Sequence, residues 1–143
     1  MYSTIVVGTD GSETATGAVS VAAELARHHG ARLHLVKAYQ QSAAAMAAPT
    51  AAFVVADPGP ETAHLAAEAE EMLAATAQTC DGVTVEQHAC QGPAGEVLVA
   101  VAEELSADLI VVGSKGMHRR ILGSVPNTVA HNAPCAVLIV KTT

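Results

Sequence analysis

The chain has 143 residues, half of them apolar, and carries 14 Asp and Glu against 7 Lys and Arg, for a formal net charge of −7. That length suits one domain with a substantial core and no need of staples. The acidic balance argues against the broad basic face that grips a nucleic-acid backbone, and with Tyr2, Tyr39 and Phe53 as its only aromatics the chain has no base-stacking platform.

In chain order, Thr4–Val7 is a short β-branched run, as a buried strand requires, and "ETATGAVSVAAELARHHG" follows as a helix ended by Gly30. Between them, "GTDGS" sets Thr9 and Asp10 at the tip of strand one, where an Asp serves either as a turn and cap residue or as a group facing a ligand. "RLHLVKA" is strand two. Residues 40–60 are rich in Ala and Pro without clean periodicity, which predicts a flexible excursion inside the domain. "ETAHLAAEAEEMLAATAQTC" is a helix with acidic residues toward its start and Gly82 beyond its end. "VTVEQHA" is strand three, "AGEVLVAVAEELSA" a helix, and "DLIVVG" strand four. Residues 124–132 are the last helix, with Ser124 near its N-cap and Pro126 in its first turn, and "CAVLIVK" is strand five.

Strict alternation of strand and helix predicts a single α/β domain over residues 1–143, a five-stranded parallel sheet covered by helices on both faces. A strand order of 3-2-1-4-5 places the reversal of winding between strands one and four. Ligands of open parallel sheets bind there, outside the carboxyl ends of the strands. Two segments therefore share the expected site: "GTDGS" after strand one and "GSKGMHRRILGS" after strand four.

The second segment has what a small anion needs. Gly113 and Gly116 let backbone N–H groups approach closely, Gly123 and Ser124 open a helix, and Ser114 and Ser124 add hydroxyls. Three of the seven cationic residues, Lys115, Arg119 and Arg120, fall within six positions there. At the end of strand two, small Ala38 leaves room for a ring whose edge the backbone could read.

Other signatures are missing. The chain has no GxxxxGK[ST] P-loop, no GxGxxG after strand one and no GxSxG nucleophile elbow. Strand three ends without the Asp that a phosphoryl-accepting receiver would need. Cys80, Cys90 and Cys135 are odd in number and widely spaced, and the seven histidines show no metal-ligand spacing, so no metal site is predicted. The amino terminus lacks the features of a signal peptide and no run reaches the length of a membrane span, so a cytoplasmic location is expected.

With "IVVGTDGSETA", "ADLIVVGSKGM" and "LGSVPNTVAHNAPCAVLIV" in place, the chain resembles the universal stress protein family over nearly its whole length. The resemblance implies a Rossmann-like domain and, in the nucleotide-binding branch, ATP held by a G-x2-G-x9-G-[ST] motif, alone or with Mg2+ or Mn2+ carried by the phosphates. Carried over, that motif falls on Gly113, Gly116, Gly123 and Ser124, with Asp10 and the Ala38 region near the adenosine and Val125 beside the phosphates. The chain departs from the pattern in one place: six residues, "MHRRIL", separate Gly116 from Gly123. The implied function is an ATP-binding stress sensor or nucleotide sink with at most very slow ATP hydrolysis, since no base and nucleophile are positioned. Two alternatives stand beside it, a nucleotide-dependent enzyme and a protein-interaction module with an empty site. The implied partners are an adenine nucleotide and a second copy of the chain, paired through the apolar strand Ala136–Val140. Neither nucleic acid nor membrane is among them.

Overall fold

The structure, a computed structural model, describes residues 1–40, 59–114 and 122–141. The excursion expected over residues 40–60 lies largely outside these residues. Five strands, β1 (Thr4–Gly8), β2 (Arg32–Tyr39), β3 (Val85–Gln91), β4 (Leu109–Gly113) and β5 (Ala136–Val140), form one parallel sheet in the order β3-β2-β1-β4-β5. Among the described residues four helices alternate with them: α1 (Glu13–His29), α2 (Gly59–Ala77), α3 (Ala94–Leu105) and α4 (Ser124–Asn132).

Side chains on a strand alternate between faces, and the core divides accordingly. Ile5, Val7, Leu33, Leu35, Leu109 and Val111 face one way, against the Ala-rich stripe Ala18, Ala22 and Ala26 of α1 and Leu73 of α2. Val6, Val36, Ile110 and Val112 face the other way, against Val97, Leu98 and Val101 of α3 and Val129 of α4. Small alanines let α1 lie close to the sheet, so a core almost without aromatic rings still closes.

Local signals end the elements. α1 stops at Gly30, which takes the left-handed conformation (φ 66°) and donates its N–H to the Ala26 carbonyl. β4 starts level with β1 because the Asp108 carboxylate accepts from the backbone N–H groups of Ser3 (2.8 Å) and Thr4 (2.9 Å), while Asp108 N–H donates to the Thr4 carbonyl. Those two donors hold the Asp108 carboxyl below the usual carboxylate range.

β3 begins and ends two residues later than its composition suggests. Its limits follow β2, which supplies partners as far as Tyr39, opposite Gln91. Gly92, at φ 138°, then turns the chain into α3.

Candidate functional site

Parallel strands joined by helices bring the strand carboxyl ends and the helix amino ends to one side of the sheet. At the reversal between β1 and β4 these ends enclose a cavity of about 510 Å3. Gly8, Thr9 and Asp10 line it from the end of β1, Val36, Lys37 and Ala38 from β2, and Val112 and Gly113 from β4. The first turns of α1 and α4 contribute Ser12, Thr14, Gly123, Ser124 and Val125.

The turn after β1 is built by its own polar atoms. Buried Thr9 donates its N–H to the Val36 carbonyl (2.9 Å), and its hydroxyl accepts from Gly11 N–H (3.2 Å). Asp10 Oδ1 accepts from Ser12 N–H (2.9 Å), so the residue shapes the turn and lines the crevice together. Gly11, at φ 81°, completes the bend. Ser12 then caps α1, its hydroxyl accepting from Ala15 N–H at 3.2 Å.

α4 starts differently. Gly123 is its N-cap and supplies no side-chain bond, and the first turn holds no acidic residue. Gly123 sits at φ −63°, ψ 168°, extended backbone open to any residue, so what glycine contributes there is the absence of a side chain at the mouth of the crevice. Asn127 N–H closes the first intrahelical bond to the Gly123 carbonyl (3.0 Å), and Pro126 has no N–H to offer. Among the described residues, the N–H groups of Gly123, Ser124 and Val125 therefore have no intrahelical partner, and they stand at the positive end of the helix dipole.

Of the residues singled out from the sequence, Thr9, Asp10, Ala38, Gly113, Gly123, Ser124 and Val125 come together around this cavity. Ser114 does not line it. It is 1% exposed, and its N–H continues the β4–β5 ladder to the Val140 carbonyl (2.9 Å). Lys115, Gly116 and Arg119 lie outside the described residues. α3 also lines the cavity, through Ala94 and Leu98, a contribution not expected from the sequence. Its one signal was the pair of small residues Ala94–Gly95 opening that helix.

The protein-family model described as the universal stress protein family matches residues 1–141. A universal stress protein of Mycobacterium tuberculosis is 36% identical over 99% of this chain and 98% of its own length. Among solved structures, a universal stress protein in complex with cAMP is 33% identical with a TM-score of 0.73, covering 99% of this chain and 98% of that one. A universal stress protein of Archaeoglobus fulgidus in complex with dAMP, 24% identical, has a TM-score of 0.69 and covers 98% of each chain.

Proposed function

The chain belongs to the universal stress protein family, and from that premise we propose that its crevice binds an adenine nucleotide, ATP in the first place. One observation carries this reading: Gly8–Asp10, Ala38, Gly113 and Gly123–Val125 converge on a single cavity at the reversal of the sheet. Solved family members holding cAMP and dAMP support it.

The chemistry divides along the cavity. Phosphates meet the Ser124 and Val125 N–H groups, the Ser124 hydroxyl and the positive end of α4. Lys115, Gly116 and Arg119 enter this reading from the sequence, as further donors in the connection between β4 and α4. The Asp10 carboxylate is an acceptor for ribose hydroxyls. The base lies by Ala38, between Val36 and Leu98, with the β2 backbone reading its edge. A Mg2+ or Mn2+ ion would enter with the phosphates rather than on a protein cage.

Among the described residues lining the cavity, Asp10 and Lys37 are the titratable ones, which supports a sensor or nucleotide sink over an enzyme. The exposed backbone edge of β5 and its apolar sequence "AVLIV" support a two-fold dimer paired through Ala136–Val140. The described residues contain no helix long and apolar enough to cross a membrane, which is compatible with the cytoplasmic location we assign to this role.

Equilibrium binding of adenosine, AMP, ADP, ATP and cAMP tests the proposal. If α4 holds the phosphates, affinity rises from adenosine toward ATP. Equal affinity along the series would remove the phosphate assignment, and no binding by any member would remove the nucleotide.

A further inference from the structure

The opposite end of the sheet carries a second cluster that the nucleotide reading does not use. His34 lies on β2, and Glu86 and His88 lie on the neighbouring edge strand β3. The register pairs His34 with Glu86 and Val36 with His88, so all three side chains stand on one face. His34 is buried at 3% exposure, whereas the Glu86 side chain is 43% exposed. The adjoining cavity, about 410 Å3, is lined by His34, Glu86, Arg32, Ser3, Thr4 and Thr84 among others, and it shares no lining residue with the crevice at the carboxyl end.

The geometry around His34 Nδ1 is what calls for a ligand. Nε2 of His88 lies 2.9 Å away and Oε2 of Glu86 lies 3.4 Å away, and one donor atom from each of the three residues falls within 4.8 Å of the others. A tetrahedral ion with metal–ligand bonds near 2.0–2.1 Å holds neighbouring donor atoms roughly 3.3 Å apart. The two short distances bracket that edge. Hydrogen bonding gives the trio one proton to share: from His34 Nδ1 it can go to His88 Nε2 or to Glu86 Oε2, and with His88 as the donor the Glu86 oxygen faces the His34 nitrogen with no proton between them. A cation at the centre takes one lone pair from each residue.

We propose that His34, Glu86 and His88 bind one divalent transition-metal cation of the zinc type, clamping β3 to β2 at the amino end of the sheet. Two imidazoles and one carboxylate form a donor set that favours Zn2+ and its neighbours over Mg2+ or Ca2+. The fourth position faces the adjoining cavity, where water completes the tetrahedron. Arg32 Nη1 lies 3.3 Å from Oε1 of Glu86, which orients the carboxylate and leaves Oε2 for the ion.

The test is titration of chelator-treated, full-length protein with ZnCl2 by calorimetry, and with CoCl2 by visible absorption. Wild type takes up one ion per chain, and Co2+ gives the intense d–d bands of a four-coordinate site. Glu86→Gln and His88→Gln, both at an edge strand and prepared separately, each weaken Zn2+ binding by about tenfold or more. Their circular dichroism without metal matches that of wild type. His64→Gln, removing an exposed histidine that pairs with Glu68 on α2 at 3.7 Å, changes nothing. The proposal is overturned if wild type binds no Zn2+ at micromolar free ion. It is overturned equally if Co2+ shows only the pale spectrum of an octahedral aquo ion, or if loss of binding follows His64 rather than His88. Should one variant fail to fold, the other and the wild-type Co2+ spectrum still decide.

Discussion

The amino ends of α1, α3 and α4 all reach the same crevice, and the protein finishes α1 and α4 differently. At α1 the Ser12 hydroxyl accepts from Ala15 N–H and lies 3.0 Å from the Thr14 hydroxyl, and Glu13 adds an acidic group to the first turn. At α4 a glycine stands at the cap, no side chain bonds to the first turn, and no acid lies in it. The dipoles are of the same kind. The protein's own oxygens take the Ser12 and Ala15 N–H groups of α1, whereas at α4 no side chain takes any. A strand carboxyl end next to helix amino ends therefore does not by itself define an anion site. In the proposed reading the uncapped amino end of α4 does, where α1 carries a side-chain cap and α3 an acid in its first turn.

The largest effect should come from moving α4. Gly95 of α3 lies against Thr128 of α4, and a Cβ built at 95 would fall 2.8 Å from the Thr128 Cβ, an atom fixed close to its helix backbone. Gly95→Ala should therefore push the helices apart and cost about 1–3 kcal/mol in urea unfolding. It should also weaken nucleotide binding, because the donors of α4 move with the helix. Unchanged stability would mean that α3 and α4 separate freely.

The next contrast sets the two caps against each other. Ser12→Ala removes the α1 cap and should cost about 1 kcal/mol of stability. Ser124→Ala removes an exposed hydroxyl that caps nothing, and should change stability by no more than about 0.5 kcal/mol. Its effect should appear in ATP affinity. A stability loss at Ser124 equal to that at Ser12 would erase the distinction between the helices.

The smallest effect concerns the same chemistry away from any helix, where Asp108 accepts the N–H groups of Ser3 and Thr4. Its folded pKa lies below the ordinary carboxylate value. Its contribution to stability is therefore present above that ordinary value and is lost as pH falls through the folded one. Asp108→Asn should flatten this part of the acid-unfolding curve. Identical curves for wild type and variant would show that the carboxylate charge contributes nothing there.

Much of this was legible in the sequence, for physical reasons that differ by residue. The parallel sheet followed from the alternation of short β-branched runs with helix-periodic segments, and the limits of α4 from Ser124 and Pro126. Asp10, Gly123 and Ser124 could be placed because they follow a strand or open a helix at the reversal point, Ala38 because it stands near the carboxyl end of β2, and Val125 through the family resemblance. Register was not legible. It decides that Ser114 spends its N–H on Val140 and turns inward, and that β3 runs to Gln91. It also brings His34 and His88 within 2.9 Å across 54 positions of sequence, where histidine spacing along the chain gave no sign of a cluster. Leu98 escaped notice because a core leucine and a ligand-wall leucine look alike in a helix pattern.

The central claim, that α4 is the phosphate end of the crevice, is tested most directly by thermal melts of wild type and Gly123→Val with and without ATP. Gly123 has backbone angles that valine can adopt, so the variant should fold and melt near the wild-type temperature without ligand. ATP at a hundred times its dissociation constant stabilises a native state by about 2.7 kcal/mol. For a domain of this size that raises the wild-type Tm by roughly 5–10 °C. The account predicts that shift in wild type and its loss in Gly123→Val. A wild-type Tm indifferent to millimolar ATP, ADP, AMP and cAMP would contradict it, and so would an undiminished shift in the variant.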